Sequence, residues 1–353
     1  MTPEYFRALM KSWRASLPPR SRSRTKAPKS NMRFPKHIER QYSRSLSRMF
    51  KYYTAPLMER LPAVLAQELR TDGIQMDTLM GDMENWDTHV YYNYVDPAIG
   101  AKGVEATIAT YGWETSTYSQ KQWKQLLSVA LPDAFPLDEP WVADALDNWT
   151  KHNATLVDNA VGQFFGKTEA IVRDAVTKGR RAEDVLHDIR ALDDKLTRNQ
   201  AQFIARDQIG TLNGILTQKR NEAAGIDKYT WATAMDERVR GRPGGKWEYS
   251  KDTHWIMEGK LCRWDNPTVY SDDGGKSWKP RSGLKAIVTY HGKTSTGTRG
   301  TPGPKGNAGK SMVAVAPDVH PGIAPNCRCG SRAMLDDYIA ELDAELRAES
   351  IVI

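Results

Sequence analysis

The 353-residue chain has three cysteines, Cys262, Cys327 and Cys329, all in its C-terminal part. So few thiols, and an odd number of them, exclude a disulfide framework and fit a reducing compartment. No run of eighteen apolar residues occurs, so no membrane span is expected. The opening residues MTPEYFR lack the apolar core of a secretory signal. Also missing are a Gly-x-Ser-x-Gly elbow, a Gly-x-x-x-x-Gly-Lys-Ser/Thr phosphate loop and a His-Glu-x-x-His pair. These gaps remove the commonest hydrolase, nucleotide and metalloprotease sites from consideration.

Acidic residues are scarce at the N-terminus. Residues 1 to 50 hold nine Arg and four Lys against Glu4 and Glu39, a local charge of +11 in a protein of net +7. The segment 17–31 (LPPRSRSRTKAPKSN) has almost no apolar content and cannot offset its ordering entropy, so an extended arm is expected. Its Arg20, Arg22, Arg24, Lys26 and Lys29 suit a phosphate backbone without sequence readout. An acidic protein partner or a merely solubilising tail is the alternative. Arg40, Arg44, Arg48 and Lys51 follow at about one per helical turn.

From Pro35 the apolar residues recur at helical spacing, Ile38, Tyr42, Leu46, Met49 and Leu57 among them. Pro56 and Pro62 should break or kink this helix. Further helices are expected over 1–16, 118–131, from Trp141, from Asn153, over 168–178 with Thr168 as N-cap and Gly179 at the C-terminal cap, to Leu192, and over 197–224. After Gly225 the period falls toward two, and 229–234, 260–264, 286–290 and 312–316 read as strands. Residues 271–310, rich in Gly, Ser and Thr, read as an exposed hairpin with floppy ends. A helix over 334–346 closes the chain. The fold class is α+β: a mostly helical N-terminal two-thirds, then a small mixed C-terminal domain carrying a Cys/His cluster.

Thiolates and a neutral imidazole make a tetrahedral zinc set, so His254, Cys262, Cys327 and Cys329 are the candidate ligands of a structural Zn²⁺, with His320 in reserve. The Cys-x-Cys spacing is not that of a familiar finger, and three buried thiols packing as small hydrophobes is the competing reading. A catalytic metal or a reactive thiol is the third. Asp236, Glu237, Arg238 and His254 have the types needed for acid–base work. The simpler reading is that Asp236 caps a turn and pairs with an arginine.

The order of these elements is distinctive. Trp231 leads to Asp236-x-Arg238-x-Arg240, then His254 with Gly259-Lys260 five residues on, and finally Pro325-Asn-Cys-Arg-Cys329. Upstream, Ala201–Ile226 runs as a long helix into Gly225-Ile226-x-x-Tyr229-x-Trp231. Over residues 155–335 this resembles the phage Mu protein F-like family of minor head proteins. It departs from the family in reading Ala205-Arg206-Asp207-Gln208 in place of Ala-Arg-Thr-Glu, and in about fifty extra residues between Cys262 and Cys327.

The resemblance implies a non-enzymatic minor capsid protein of a tailed phage, assembled in the host cytoplasm. It would sit in the head interior near the portal vertex and act in assembly, DNA packaging or ejection. Implied partners are the portal protein, the major capsid protein and double-stranded DNA, with no membrane. The expected division is a basic arm over 1–34, a helical domain over 35–195, an α+β domain over 196–335 with the insertion 265–316, and a C-terminal helix and tail over 336–353. A metal-dependent nuclease or toxin-like enzyme, or a protein-only scaffold adaptor, are the alternatives.

Overall fold

Helical and β-type periodicity separate along the chain as the composition demands. The computed structural model describes residues 2–16, 33–68, 101–127, 139–289 and 310–351. The fold is α+β, and no helix of the described residues is long and apolar enough to cross a membrane. The chain forms two compact units, 36–114 with 143–209, and 1–35 with 115–142 and 210–353.

The first unit is helical. It contains α2 (Lys36–Glu68), most of α4 (Trp141–Lys178), α5 (Ala182–Asp194) and the N-terminal turns of α6 (Ala201–Ala223), with a π-helical turn at Lys195–Gln200 before α6. Neither Pro56 nor Pro62 breaks α2. Each proline costs about 3 kcal/mol in a helix interior. Leu57, Leu61 and Leu65 stay buried across both, and burial of three leucines contributes roughly 5–9 kcal/mol.

Helix α4 is likewise continuous through the two places where helix starts were expected. Asn153 is fully buried inside it, accepting from Tyr42 Oη at 2.9 Å and donating to Trp149 O at 2.8 Å and Gln208 Oε1 at 3.2 Å. Thr168 is no N-cap, because its hydroxyl donates back to Phe164 O at 2.9 Å. The stop at Gly179 is as expected: its φ is +62° and Arg180 N donates to Ala175 O, the Schellman pattern.

In the second unit, β1 (Lys228–Ala232) is the centre of an antiparallel sheet flanked by β2 (Leu261–Arg263) and β7 (Gly330–Ala333). Gly225, at φ +71°, ends α6 with Ile226 N on Asn221 O at 2.8 Å and aims the chain into β1. Helices α1 (Pro3–Ser16) and α7 (Leu335–Ile351) share a core with α3 (Ala101–Leu127), in which Phe6 and Met10 meet Trp123, Leu127, Ile339 and Leu342. The expected arm therefore begins with a packed helix. Three of its cations are neutralised internally: Arg14, fully buried, grips Asp343 through two bonds of 2.7 and 2.6 Å, and Arg7 and Lys11 hold Glu345. Those two cations keep the Glu345 carboxyl down at about 2.

The insertion is more ordered than its composition suggests. Strands β3 (Val269–Tyr270) and β4 (Lys279–Pro280) are joined by a turn that locks itself. In it Asp273 accepts from Ser271 Oγ at 2.6 Å, Ser277 N at 3.0 Å and Ser277 Oγ at 2.5 Å, while Ser271 Oγ accepts from Gly275 N at 2.9 Å. A second hairpin, β5 (Lys285–Thr289) with β6 (Ser311–Val315), pairs Ile287 with Val313, and both are exposed. Residues 290–309, the rest of the expected hairpin, lie outside the described residues.

Candidate metal centre

The site is built where the chain leaves β1. Asp236 Oδ1 caps the following turn by accepting from Arg238 N at 3.0 Å, and its other oxygen pairs with Arg328. Asp236 is thus committed to structure. Gly241 then adopts φ +75° against Thr253, where a Cβ would lie 1.9 Å from the hydroxyl oxygen. This close approach lets Arg240 O accept both His254 N at 3.0 Å and Trp255 N at 3.1 Å, which fixes the imidazole's root. On the other side Asn326, at φ +55°, turns the chain so that Cys327 and Cys329 both face inward.

His254, Cys327 and Cys329 converge, with one ligand atom from each all within 4.8 Å of one another. His254 Nδ1 lies 3.3 Å from Cys327 Sγ and 3.5 Å from Cys329 Sγ. A tetrahedral zinc with bonds of about 2.0 Å to nitrogen and 2.3 Å to sulfur needs an N···S edge of about 3.5 Å, so the donor set fits. All three side chains are buried. The remaining nitrogen, Nε2, lies 3.5 Å from Asp252 Oδ2, the outer-carboxylate arrangement that orients metal-binding imidazoles. Arg240 holds Asp252 in turn and reaches Pro325 O at 2.5 Å.

Electrostatics agree with the geometry. Cys329 beside it, together with His254, outweighs burial and holds the Cys327 thiol well below its usual range, while Cys329 is pushed up by the neighbouring sulfur and by burial. Burial works against charge on His254, yet Asp252 and Cys327 lift it to about 9. Half-burial pushes Asp252 up, and the neighbouring His254 imidazole, the Ser250 hydrogen bond and the Arg240 charge more than reverse it. A pocket that collects negative charge around an imidazole is one in which a dication replaces a proton.

Cys262 does not join the group, which corrects the four-ligand expectation. The sheet register sets it opposite Tyr229, whereas the His254 ring stands edge-on to Trp231 at 5.7 Å. Two residues along a strand is roughly 7 Å, too far for a shared ion. The Cys262 thiol faces Tyr229 and Arg281, and burial raises it. The reserve ligand His320 is also elsewhere: its Nδ1 bonds Tyr229 Oη at 2.9 Å and its ring packs on Trp264. The candidate phosphate contacts Arg20, Arg22, Arg24, Lys26 and Lys29 lie outside the described residues.

Two contributors escape a reading of the sequence. Asp252 was signalled only by standing two residues before His254. Arg281, in the insertion, had no signal at all. It is buried, donates to Val269 O, Pro317 O and Val319 O at 3.1, 3.2 and 2.8 Å, reaches Tyr229 Oη at 3.2 Å, and stacks over Trp231 at 5.2 Å.

His320 gives a pH prediction. Burial first and the Arg281 charge second lower it to about 4, from 6.5. Between those values the unfolded chain binds more protons, so stability rises with pH through this window and the loss is complete below pH 4. His320→Asn should flatten the urea-midpoint profile between pH 6.5 and 4 by about 1 kcal/mol, after allowance for the side chain's partial exposure. Parallel profiles for the two proteins would remove His320 as the cause.

Fold and site together define an α+β protein with a helical unit and a second unit whose small antiparallel sheet carries a buried group of one imidazole and two cysteine sulfurs. Residues 167–332, just under half of the chain, match the family described as Phage Mu protein F like protein. A protein of Haemophilus influenzae, described only as uncharacterized, is 31% identical over 148 residues, which are 42% of this chain and 30% of that relative's length. No solved structure matches the chain.

Proposed function

We propose that this chain is a minor head protein of a tailed phage, a virion component acting in head morphogenesis, with a structural Zn²⁺ held by His254, Cys327 and Cys329. The observation that carries the reading is the family match over 167–332, the region that contains all three ligands. When bound, the ion would cross-link the segment after β1 to the irregular segment leading into β7. Portal and major capsid proteins are its proposed protein partners. Packaged double-stranded DNA is the proposed ligand of Arg20, Arg22, Arg24, Lys26 and Lys29, in assembly, packaging or ejection.

Because α1 is part of a core, deleting the N-terminus would confound folding with binding. The test is instead to change those five cations to Gln in the full chain and measure duplex affinity against salt. Each phosphate contact contributes about 0.9 to the slope of log K against log salt, so the slope should shrink by roughly 4. An unchanged slope overturns the DNA role of the arm, and absence of the chain from purified heads overturns the head-protein reading.

Three protein ligands with one position left over also describe catalytic zinc sites, which favours a nuclease as the second reading. Cleavage of DNA or RNA that chelator abolishes would establish it. A protein-only adaptor would instead capture portal or capsid protein equally well before and after nuclease treatment.

A further inference from the structure

Helix α2 carries a row of cations that no acid pairs with among the described residues. Lys36, Arg40, Arg44, Arg48 and Lys51 are all exposed and lie on one face, along with His37 and Gln41. Arg40 to Lys51 spans about 16 Å at 1.5 Å per residue. The first carboxylate on this face is Glu59, since Glu39 points into the unit and pairs with Arg206 at 3.1 Å. Among the described residues none of Arg40, Arg44, Arg48 and Lys51 makes an ion pair.

This differs from three cations on another helix of the same unit. Lys151, Arg173 and Lys178 of α4 each pair with an acid one turn back, Asp147, Glu169 and Asp174. Such pairs are the usual way a solvated helix face balances its charge, and each is worth a few tenths of a kcal/mol. On α2 no acid stands one turn from Arg40, Arg44, Arg48 or Lys51, so four like charges repel one another along three turns. An external polyanion would relieve that repulsion.

The chemistry of the face selects the kind of polyanion. Protein interfaces have an apolar, charge-depleted centre rich in aromatics. This face has no exposed apolar side chain between Lys36 and Lys51. Surfaces that bind nucleic acid are strongly positive and polar, and arginine, three of the four residues here, suits bidentate phosphate contact. Ser43 and Ser47, half-buried at the margin of the row, add hydroxyl donors of the kind that bind phosphate oxygens.

We infer that the exposed face of α2, through Arg40, Arg44, Arg48 and Lys51, is a second, sequence-independent track for the phosphate backbone of double-stranded DNA. It rests on the proposal that the protein meets DNA and adds a site on a folded helix, separate from the arm. The arm brings phosphate near, and the helix holds it at fixed spacing.

The test uses the full chain in four forms: parent, arm cations changed to Gln, R40Q/R44Q/R48Q/K51Q, and both sets together. Two unrelated duplexes of about 30 base pairs are titrated from 50 to 200 mM salt. The α2 variant should lose about 3.6 units of slope in either arm background, with both duplexes affected equally. Urea melting should stay at the parent midpoint, because the four side chains are exposed. K151Q/R173Q/K178Q is the control and should keep the parent slope. A parent-like slope in R40Q/R44Q/R48Q/K51Q overturns the α2 track while leaving the arm to be judged by its own variant. Retention of the parent chain on an acidic polypeptide, with no binding to either duplex, also overturns it and reassigns the face to a protein surface.

Discussion

Cys327→Ser should strip the protein of one equivalent of zinc and lower its melting temperature by roughly 10 °C or more. Structural zinc in small domains contributes on the order of 10 kcal/mol of binding free energy at neutral pH, and binding is linked to folding. Even a third of that shifts the melting of a protein of this size by several degrees. Cys329→Ser and His254→Gln should behave alike, and chelator should reproduce the effect in the parent. Cys262→Ser is the discriminating variant, because its thiol faces Tyr229 and Arg281 and lies outside the group of His254, Cys327 and Cys329. It should keep the full metal content. Elemental analysis that finds zinc in Cys327→Ser, or none in Cys262→Ser, would sink the assignment.

Arg281→Met should be the most damaging change outside the ligands, at about 3–5 kcal/mol in urea unfolding. The guanidinium satisfies three carbonyl oxygens and the Tyr229 hydroxyl, and it lies over the Trp231 ring that abuts His254. Methionine replaces the stem and leaves those acceptors buried without donors, each a loss of about 1–3 kcal/mol. Lysine should rescue little, since a point charge cannot reproduce a planar fork. Lys285→Ala, exposed on β5, should stay within about 0.5 kcal/mol of the parent. A loss under 1 kcal/mol in Arg281→Met would mean that the insertion does not brace the sheet.

Local chemistry made much of this legible. β2 lies within its expected strand, and β1, β5 and β6 overlap theirs but begin one residue earlier, because apolar and polar residues alternate there. Gly179 and Gly225 were readable as helix ends because only their conformation permits the turn. What failed were inferences from residues with two uses. Asn153 and Thr168 are good caps, but here a buried network and a back-bond to the preceding turn absorb them, so α4 runs on. β7, Gly-Ser-Arg-Ala, has no strand signature and exists by pairing with β1.

The metal group shows the same boundary. Residue type nominated His254, Cys327 and Cys329 correctly as neighbours, and it nominated Cys262 for the same reason. Only the register of β2 on β1 separates them, a long-range property that composition does not encode.

That register also orders events in time. The ladder between β1 and β7 joins Tyr229 to Ala333, more than a hundred residues apart, whereas the self-locked turn at Asp273 closes over a handful. Chain-closure entropy must be met before such a distant ladder returns anything. Cys327 and Cys329 stand directly before β7, so the same distant ladder that completes the sheet also fixes where the two sulfurs lie.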